Sequence, residues 1–194
     1  MKIKSIKFWA IVLLEVLFLL GIFVRYRYAL ANGVSVLLKV MPVDPRDLLR
    51  GDYVILSYEI SSINLSKIEN KAGNLSCWDT VYVRLERGEK FWNAVAIDKS
   101  FHTTNNSEVW LKGRVITSDY TLRATHSASG AKDSLIGIDY GIEEFFVPEG
   151  EGRMIERERN NKNVSIEIRV TKSGLGLIKQ IYVNDQPVDF RQIR

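Results

Sequence analysis

The chain has only one cysteine, Cys77, among its 194 residues. A single cysteine cannot form an intramolecular disulfide, so a domain in an oxidising compartment has to rely on its hydrophobic core. The roughly 160 residues that follow the first 33 are enough to build one such core. Because it adjoins Trp78, Cys77 is predicted to be a small buried hydrophobic residue and not a nucleophile.

Patterns typical of zinc sites are missing as well. The two histidines, His102 and His126, are isolated, and the sequence contains no His-x-x-x-His segment and no pair of cysteines. We therefore expect both histidines at the surface or at the edge of the core, and we expect no cofactor.

Excess charge is missing from most of the chain. Residues 1–33 hold five Lys or Arg and one Glu, which leaves 22 basic and 22 acidic side chains in residues 34–194. A neutral domain has no basic excess with which to displace counterions from phosphates. Nucleic acid is therefore excluded as a predicted partner.

An apolar run is present near the N-terminus. Residues 8–24 are apolar except for Glu15 and the neutral Gly21, a length near the lower limit for a membrane span. Lys2, Lys4 and Lys7 precede the run, so the positive-inside rule places the N-terminus in the cytoplasm, although two arginines follow the run. This pattern predicts a single-pass protein whose remaining chain is extracytoplasmic, in the periplasm or at the cell surface.

The predicted organisation has two parts. Residues 1–33 form a cytoplasmic tip, a transmembrane anchor and a juxtamembrane stretch, and residues 34–194 form an extracytoplasmic β domain. Ala29, Leu30 and Ala31 resemble a signal-peptidase site, but the apolar run is long for a signal peptide and two arginines precede the site. An uncleaved anchor is therefore the favoured interpretation.

Glu15 lies in the middle of the apolar run, where a carboxylate is energetically costly. One interpretation is an intramembrane contact with another membrane protein. The other is a tolerated single acid that is shielded by water or by local thinning of the bilayer.

The rest of the sequence is dominated by alternation of apolar and polar residues, which predicts strands. Residues 61–79 and 117–134 are polar and predicted to be connections, and residues 153–161 are a candidate short helix. The fold class is thus all-β, a sandwich or partly open barrel of about eight strands. The predicted strands are 34–40, 53–60, 81–86, 91–97, 109–116, 135–147, 164–170 and 175–183.

Residues 42–60, with the sequence PVDPRDLLRGDYVILSYEI, combine a turn with a strand. Pro45 restricts its own φ and disfavours helix at Asp44, while Asp44 and Asp47 are typical of Asx turns. Gly51 supplies a position that tolerates positive φ just before the strand. The chain is therefore predicted to turn a corner here.

The corner also concentrates charge. Arginine and aspartate side chains that alternate this closely can form bidentate ion pairs, so a structural network is favoured over a catalytic one. Calcium is an alternative if these aspartates converge with Glu149 or Glu151, but the interspersed arginines, with Arg153, favour salt bridges. The charged residues of the corner are Asp44, Arg46, Asp47, Arg50 and Asp52.

Two segments resemble a known family. Residues 51–58, GDYVILSY, match the pattern that names the GDYXXLXY family, and residues 42–50 and 140–152 (YGIEEFFVPEGEG) resemble its lead-in and its later motif. The residues concerned are Gly51, Asp52, Tyr53, Leu56 and Tyr58 in the first motif, and Tyr140, Gly141, Pro148, Glu149, Gly150, Glu151 and Gly152 in the second. The resemblance implies a membrane-anchored bacterial protein, often encoded beside a multi-pass membrane protein, with no established biochemical activity.

Several functions are compatible with this pattern. Serine signal peptidases also have an anchor and a Gly-Asp strand start, but their nucleophile position corresponds here to Val43, and no serine lies between Ser35 and Ser57. An envelope hydrolase with paired acids or a metal, and a small-ligand sensor, are the alternatives. We expect a non-catalytic subunit or adaptor of a bacterial envelope complex, with a multi-pass membrane protein as its partner and with no catalytic residues.

Aromatic residues are the candidate contacts of such a partner. Tyr53, Tyr58, Tyr140 and Trp110 have the amphipathic character of interface residues. For each of them, packing between neighbouring strands is the favoured interpretation.

Overall fold

The computed structural model describes residues 2–42, 53–106, 108–117, 135–146, 158 and 163–188. Its first element is a 31-residue helix, α1 (Lys2–Asn32), about 46 Å long at the α-helical rise. Residues Lys7–Asn32 have a mean hydropathy of 2.3 and none of this segment is buried, so the helix is long and apolar enough to cross a membrane. Trp9 lies near one end of the apolar run and Tyr26 and Tyr28 near the other, as is typical of membrane interfaces.

The described residues after α1 form thirteen strands and a short 3-10 turn at Glu59–Ser61. The strands are β1 (Val34–Met41), β2 (Tyr53–Ile55), β3 (Ser57–Tyr58), β4 (Ser62–Asn64), β5 (Glu69–Asn70), β6 (Thr80–Arg87), β7 (Trp92–Asp98), β8 (Val109–Thr117), β9 (Leu135–Asp139), β10 (Glu144–Phe146), β11 (Val164–Val170), β12 (Gly176–Val183) and β13 (Gln186–Pro187).

These strands form two main sheets and a ribbon, which confirms the all-β prediction. The five-stranded sheet has the order β13-β12-β11-β1-β3, and the six-stranded sheet has the order β4-β9-β8-β6-β7-β5. β10 and β2 form the ribbon. The short β5 is parallel to β7, and the other pairs are antiparallel.

The core lies between the two main sheets. Along β1, Val36, Leu38 and Val40 are buried and the intervening side chains are not, as the alternation predicts. They belong to one cluster with buried residues of β11 and β6, such as Ile166 and Val83. A sandwich with one common core follows from this arrangement.

The predicted strand at 53–60 is divided between two sheets. Ile55 pairs with Glu144 of β10, whereas Tyr58 pairs with Val40 of β1. After β3 the chain turns, and the Tyr58 N–H donates to the Ser61 hydroxyl at 3.2 Å. Leu56, Tyr58 and the following Ile60 are nevertheless all buried, as the alternation of a strand with one inward face predicts, although the residues do not form a single strand.

The polar connection predicted at 61–79 contains β4 and β5, because both strands add to edges of the six-stranded sheet. The same segment ends in a turn at Cys77 and Trp78 in which both side chains are exposed. The prediction that Cys77 is buried is therefore wrong. Residues 118–134, and residues 153–161 apart from the helical Glu158, lie outside the described part of the chain.

A closely packed junction joins α1 to β1. The Gly33 N–H donates to the Ala29 carbonyl at 2.9 Å, and the Arg169 guanidinium donates to the Gly33 carbonyl at 3.0 Å. A Cβ atom at position 33 would lie 2.9 Å from the Arg169 Cβ, so only glycine allows this approach without a shift. The helix therefore continues into the central part of the five-stranded sheet without a flexible linker.

Candidate functional site

The two sequence motifs meet along the β2–β10 ribbon. The pairing places Ile55 of the first motif opposite Glu144 of the second. Immediately after β2, the Leu56 N–H donates to the Glu143 carbonyl at 2.7 Å. Main-chain hydrogen bonds thus hold the two motifs together.

Two buried tyrosines connect the same segments through their side chains. The Tyr58 hydroxyl donates to the Ile142 carbonyl, and the Tyr140 hydroxyl donates to the Ile60 carbonyl at 2.8 Å. Burial, and after it the charge of Glu143, raises the pKa of both hydroxyls well above the usual value. Both tyrosines therefore remain hydrogen-bond donors over the whole physiological pH range.

A glycine makes room for one of these rings. Gly113 of β8 faces Tyr140, and a Cβ atom there would lie 3.0 Å from Tyr140 Cδ1 and 2.5 Å from Ile138 Cγ2. The aromatic ring thus occupies the space that a side chain at position 113 would need.

An open cleft of about 510 Å³ lies where the motifs meet. Its walls combine apolar side chains, two serine hydroxyls and three carboxyl groups. The lining residues are Leu56, Ser57, Ser61, Ile116, Ile138, Asp139, Gly141, Glu143 and Glu144.

Asp139 and Glu143 form a carboxyl pair in this cleft. Burial and the hydrogen bond with Asp139 raise the pKa of Glu143 to about 7, and the hydrogen bond from Glu143 lowers the pKa of Asp139. Below about pH 7 the two groups therefore share one proton, which resides on Glu143.

The same pair braces the turn between β9 and β10. The Glu143 carboxyl oxygens accept the N–H groups of Tyr140 and Ile142, each at 2.8 Å, and Asp139 accepts the Gly141 N–H at 2.8 Å. Gly141 has a φ of 72°, which a glycine adopts without strain. The carboxyl pair thus has a structural role in this turn.

Paired carboxyl groups also occur in acid–base catalysis, the chemistry of the hydrolase alternative. Here, however, both oxygens of Glu143 are already engaged by main-chain N–H groups, as is one oxygen of Asp139. Among the residues that the structure describes, no group of three or more His, Cys, Asp or Glu side chains is placed to hold a metal ion. The hydrogen bonds of the carboxyl pair are thus accounted for by its brace of the β9–β10 turn.

Exposed apolar side chains adjoin the cleft. Ile116, which lines it, is 49% exposed, and Trp78 on the neighbouring segment is 71% exposed. The Trp78 N–H donates to the Val115 carbonyl at 2.7 Å while its own φ is 73°. A non-glycine residue in this conformation is strained, so the turn presents Trp78 at an energetic cost.

The predicted aromatic contacts occupy different surroundings. Tyr58, Tyr140 and Trp110 are buried, and the two tyrosines belong to the core cluster. Trp110 lies on the outer face of β8, where the His102 ring stacks on it at a centroid distance of 3.9 Å. His102 also contacts Asp98 at 3.0 Å, which is a structural role at the core edge.

Much of the predicted corner lies outside the described residues, so its ion pairs and the calcium alternative stay predictions. Tyr53 is described only as a backbone position in β2, opposite Phe146. Glu15 is an exposed residue of α1. The positions outside the described part are Asp44, Pro45, Arg46, Asp47, Arg50, Gly51 and Asp52, together with Pro148, Glu149, Gly150, Glu151 and Gly152.

Sequence reasoning missed the contributions of Asp139, Glu143, Gly113 and Trp78. The spacing of Asp139 and Glu143, four residues apart around Gly141, is the one local signal that was available. The other two depend on contacts between distant segments.

Comparison with known proteins gives one result. A family model described as GDYXXLXY protein matches residues 15–181, from the middle of α1 to β12, which is most of the chain. No curated protein and no solved structure matches the chain.

Proposed function

The chain belongs to the GDYXXLXY family, and we propose that it is a membrane-anchored extracytoplasmic β domain that acts as a non-catalytic subunit or adaptor of a bacterial envelope complex. The observation that carries this proposal is the junction at Gly33. Because the helix joins β1 through packed contacts with Arg169, the orientation of the domain follows that of the helix. A partner in the membrane can then position the domain, and the domain can position that partner.

The helix itself supports a partner in the membrane. Glu15 is an exposed acid in an otherwise apolar segment, and a donor from a multi-pass membrane protein would lower the cost of placing it in lipid. The family match begins at this residue, so it includes the second half of α1.

The junction also supports an uncleaved anchor. Ala29, Leu30 and Ala31 are helical, and the Ala29 carbonyl accepts the Gly33 N–H. Cleavage after Ala31 would remove the helical turn that packs beside the start of β1.

Cys77 allows a direct test of the membrane topology. It is the single cysteine of the chain and is exposed, so a membrane-impermeant maleimide should label it in intact spheroplasts. Cys77→Ser is the control for specificity. Labelling that requires lysis would place the domain in the cytoplasm and refute the proposal.

The partner is tested by purifying the full-length protein from native membranes in mild detergent. Glu15→Leu should reduce recovery of a stoichiometric membrane partner, whereas Leu17→Ala, on the opposite side of α1, should not. A flexible six-residue Gly-Ser insertion after Asn32 should leave recovery of the partner unchanged, because it does not alter Glu15. Recovery of no stoichiometric partner from any native extract would refute the adaptor role.

A second candidate function is that of a small-ligand sensor, and the convergence of both motifs on one cleft favours it. The carboxyl groups of Asp139 and Glu144 would suit an organic cation, and the apolar wall would suit its hydrocarbon part. A panel of small primary and quaternary amines should then raise the unfolding temperature of the wild type and not of Asp139→Asn. No shift with any amine would exclude this candidate.

A further inference from the structure

A second region of the domain, remote from the motif cleft, has the properties of a ligand site. Two cavities, of about 270 and 460 Å³, lie against the five-stranded sheet, and both are lined by Lys90, Ser165 and Asp185. Ser35 and Leu37 of β1 line the larger cavity, and they alternate along the strand with core residues. The two cavities therefore form one groove on the outer face of this sheet.

Ser165 is the unusual residue of the groove. It is 95% buried, since only 5% of its surface is exposed, and it lines both cavities. Within the described part of the chain its hydroxyl has no hydrogen-bond partner. Among the described residues, the fully buried side-chain atoms without a partner are Arg84 Nε and Arg169 Nε, so the Ser165 hydroxyl oxygen is open to the groove. A ligand that fills the groove can therefore replace water as its hydrogen-bond partner.

The charges of the groove are already balanced. Lys90 Nζ lies 2.5 and 2.7 Å from the two carboxylate oxygens of Asp185. Glu167 accepts hydrogen bonds from Lys179 at 2.8 Å, from Ser35 at 2.6 Å and from Tyr182 at 3.1 Å. No described charged group that lines the groove is left without an opposite charge, so an ionic ligand would have to break one of these pairs.

The other groups that line the groove are hydroxyls, amides and aromatic rings. Asn163 and Asn184 line the smaller cavity beside Phe91, and Tyr182 lines the larger one. Hydroxyl and amide groups can hydrogen-bond a neutral polar ligand, while ring faces pack against its C–H groups. An apolar ligand would leave the Ser165 hydroxyl without a partner, whereas Tyr182 and Asn163 would keep their bonds to Glu167 and Glu158.

We propose that this groove binds a neutral, polyhydroxylated ligand of the saccharide class, with Ser165 as a hydrogen-bonding residue. Such a ligand can have two sources: a free oligosaccharide in solution, or the glycosylated headgroup of a membrane lipid. The groove includes Ser35, three residues after the end of α1, so a headgroup in the adjacent membrane surface lies within reach. The site is independent of the adaptor role and of the motif cleft.

The test uses the full-length protein in phosphatidylcholine nanodiscs and saturation-transfer NMR. Triacetylchitotriose and maltotriose serve as neutral probes, chitotriose as a cationic probe and trigalacturonate as an anionic one. We expect transfer to a neutral trisaccharide, and we expect Ser165→Ala to weaken its binding by roughly 3- to 10-fold, the effect of one hydrogen bond. Ser62→Ala, an exposed serine of β4, is the matched control.

A second arm distinguishes the two sources. Nanodiscs that contain monogalactosyl diacylglycerol should compete with the free trisaccharide if the headgroup occupies the groove. Tyr182→Phe replaces Ser165→Ala if the latter does not fold. The proposal is overturned if no neutral trisaccharide and no glycolipid binds, if a charged trisaccharide binds more tightly, or if the groove variants bind like the wild type.

Discussion

Tyr58 and Tyr140 form a reciprocal pair, since each hydroxyl donates to the main chain beside the other tyrosine. Tyr58 reaches the carbonyl of Ile142, two residues after Tyr140, and Tyr140 reaches the carbonyl of Ile60, two residues after Tyr58. The final tyrosine of the first motif and the first tyrosine of the second are thereby tied to each other. The pair gives each buried tyrosine hydroxyl a main-chain partner.

Removal of either hydroxyl should destabilise the domain. Tyr58→Phe and Tyr140→Phe each leave a buried carbonyl without its donor, which should lower the free energy of unfolding by about 1–3 kcal/mol. Urea unfolding of the purified protein measures the change. Tyr82→Phe is the control because its ring is buried against Phe101 and its hydroxyl makes neither of these contacts, so its effect should be smaller. Equal effects of all three substitutions would contradict the reciprocal clamp.

The carboxyl pair predicts a specific dependence of stability on pH. The pKa of Glu143 is raised from its ordinary 4.5 to about 7, so the folded state favours the protonated group. This stabilisation is complete below pH 4.5 and is lost as the pH rises to about 7. The lowered pKa of Asp139 acts in the opposite sense and only near and below its ordinary 3.8.

Thermal unfolding between pH 4 and pH 8 measures this effect. The wild type should lose stability from pH 4.5 to 7 relative to Glu143→Gln, which cannot titrate there. The exposed neighbour Glu144→Gln should follow the wild type. If the unfolding temperatures of the wild type and Glu143→Gln changed in parallel with pH, the Glu143 carboxyl would not hold the proton.

The alternation of apolar residues was sufficient to predict most of the sandwich. Val36, Leu38 and Val40 are buried because the strand period of two places them on one face. The alternation of apolar residues in the sequence identifies that face directly. The division of residues 53–60 between two sheets cannot be predicted from that alternation. It depends on the pairing of Ile55 with β10 and of Tyr58 with β1, segments distant in the sequence.

The candidate site was less predictable for a related reason. The motifs could be located by their residues, but their convergence on a cleft depends on the β2–β10 pairing. The raised pKa of Glu143 depends on burial, which a carboxyl group does not indicate by itself. Cys77 shows the converse, since a residue type that is usually buried lies in an exposed turn.

Gly113 should tolerate no side chain. In Gly113→Ala the new methyl group would overlap Ile138 and the Tyr140 ring, so we expect a loss of about 1–3 kcal/mol of stability and a weakened Tyr140–Ile60 hydrogen bond. Thermal unfolding and hydrogen exchange of residues 59–61 measure the two effects. Gly21→Ala, which has no atom within 4 Å of its new Cβ, should leave the β domain unchanged. An unaffected Gly113→Ala protein would show that the ring does not pack here.

Thr104 takes the place of a neighbouring strand beside Trp110, in the part of β8 that does not pair with β9. Its hydroxyl donates to the Trp110 carbonyl at 2.7 Å and accepts the Trp110 N–H at 2.9 Å, as a neighbouring strand would. Thr104→Val keeps the shape and leaves both buried main-chain groups unpaired, so stability should fall by about 2–4 kcal/mol.

Hydrogen exchange of residues 101–106 and of the Trp110 N–H should rise in Thr104→Val, because the segment that carries His102 loses its attachment to β8. Thr103→Val, at an exposed position one residue away, is the matched control and should change neither exchange nor stability. If the two variants behaved alike, the loss would come from replacing a hydroxyl by a methyl group in this segment and not from the two hydrogen bonds to Trp110. The stacking of His102 on Trp110 would then be the contact that holds the segment in place.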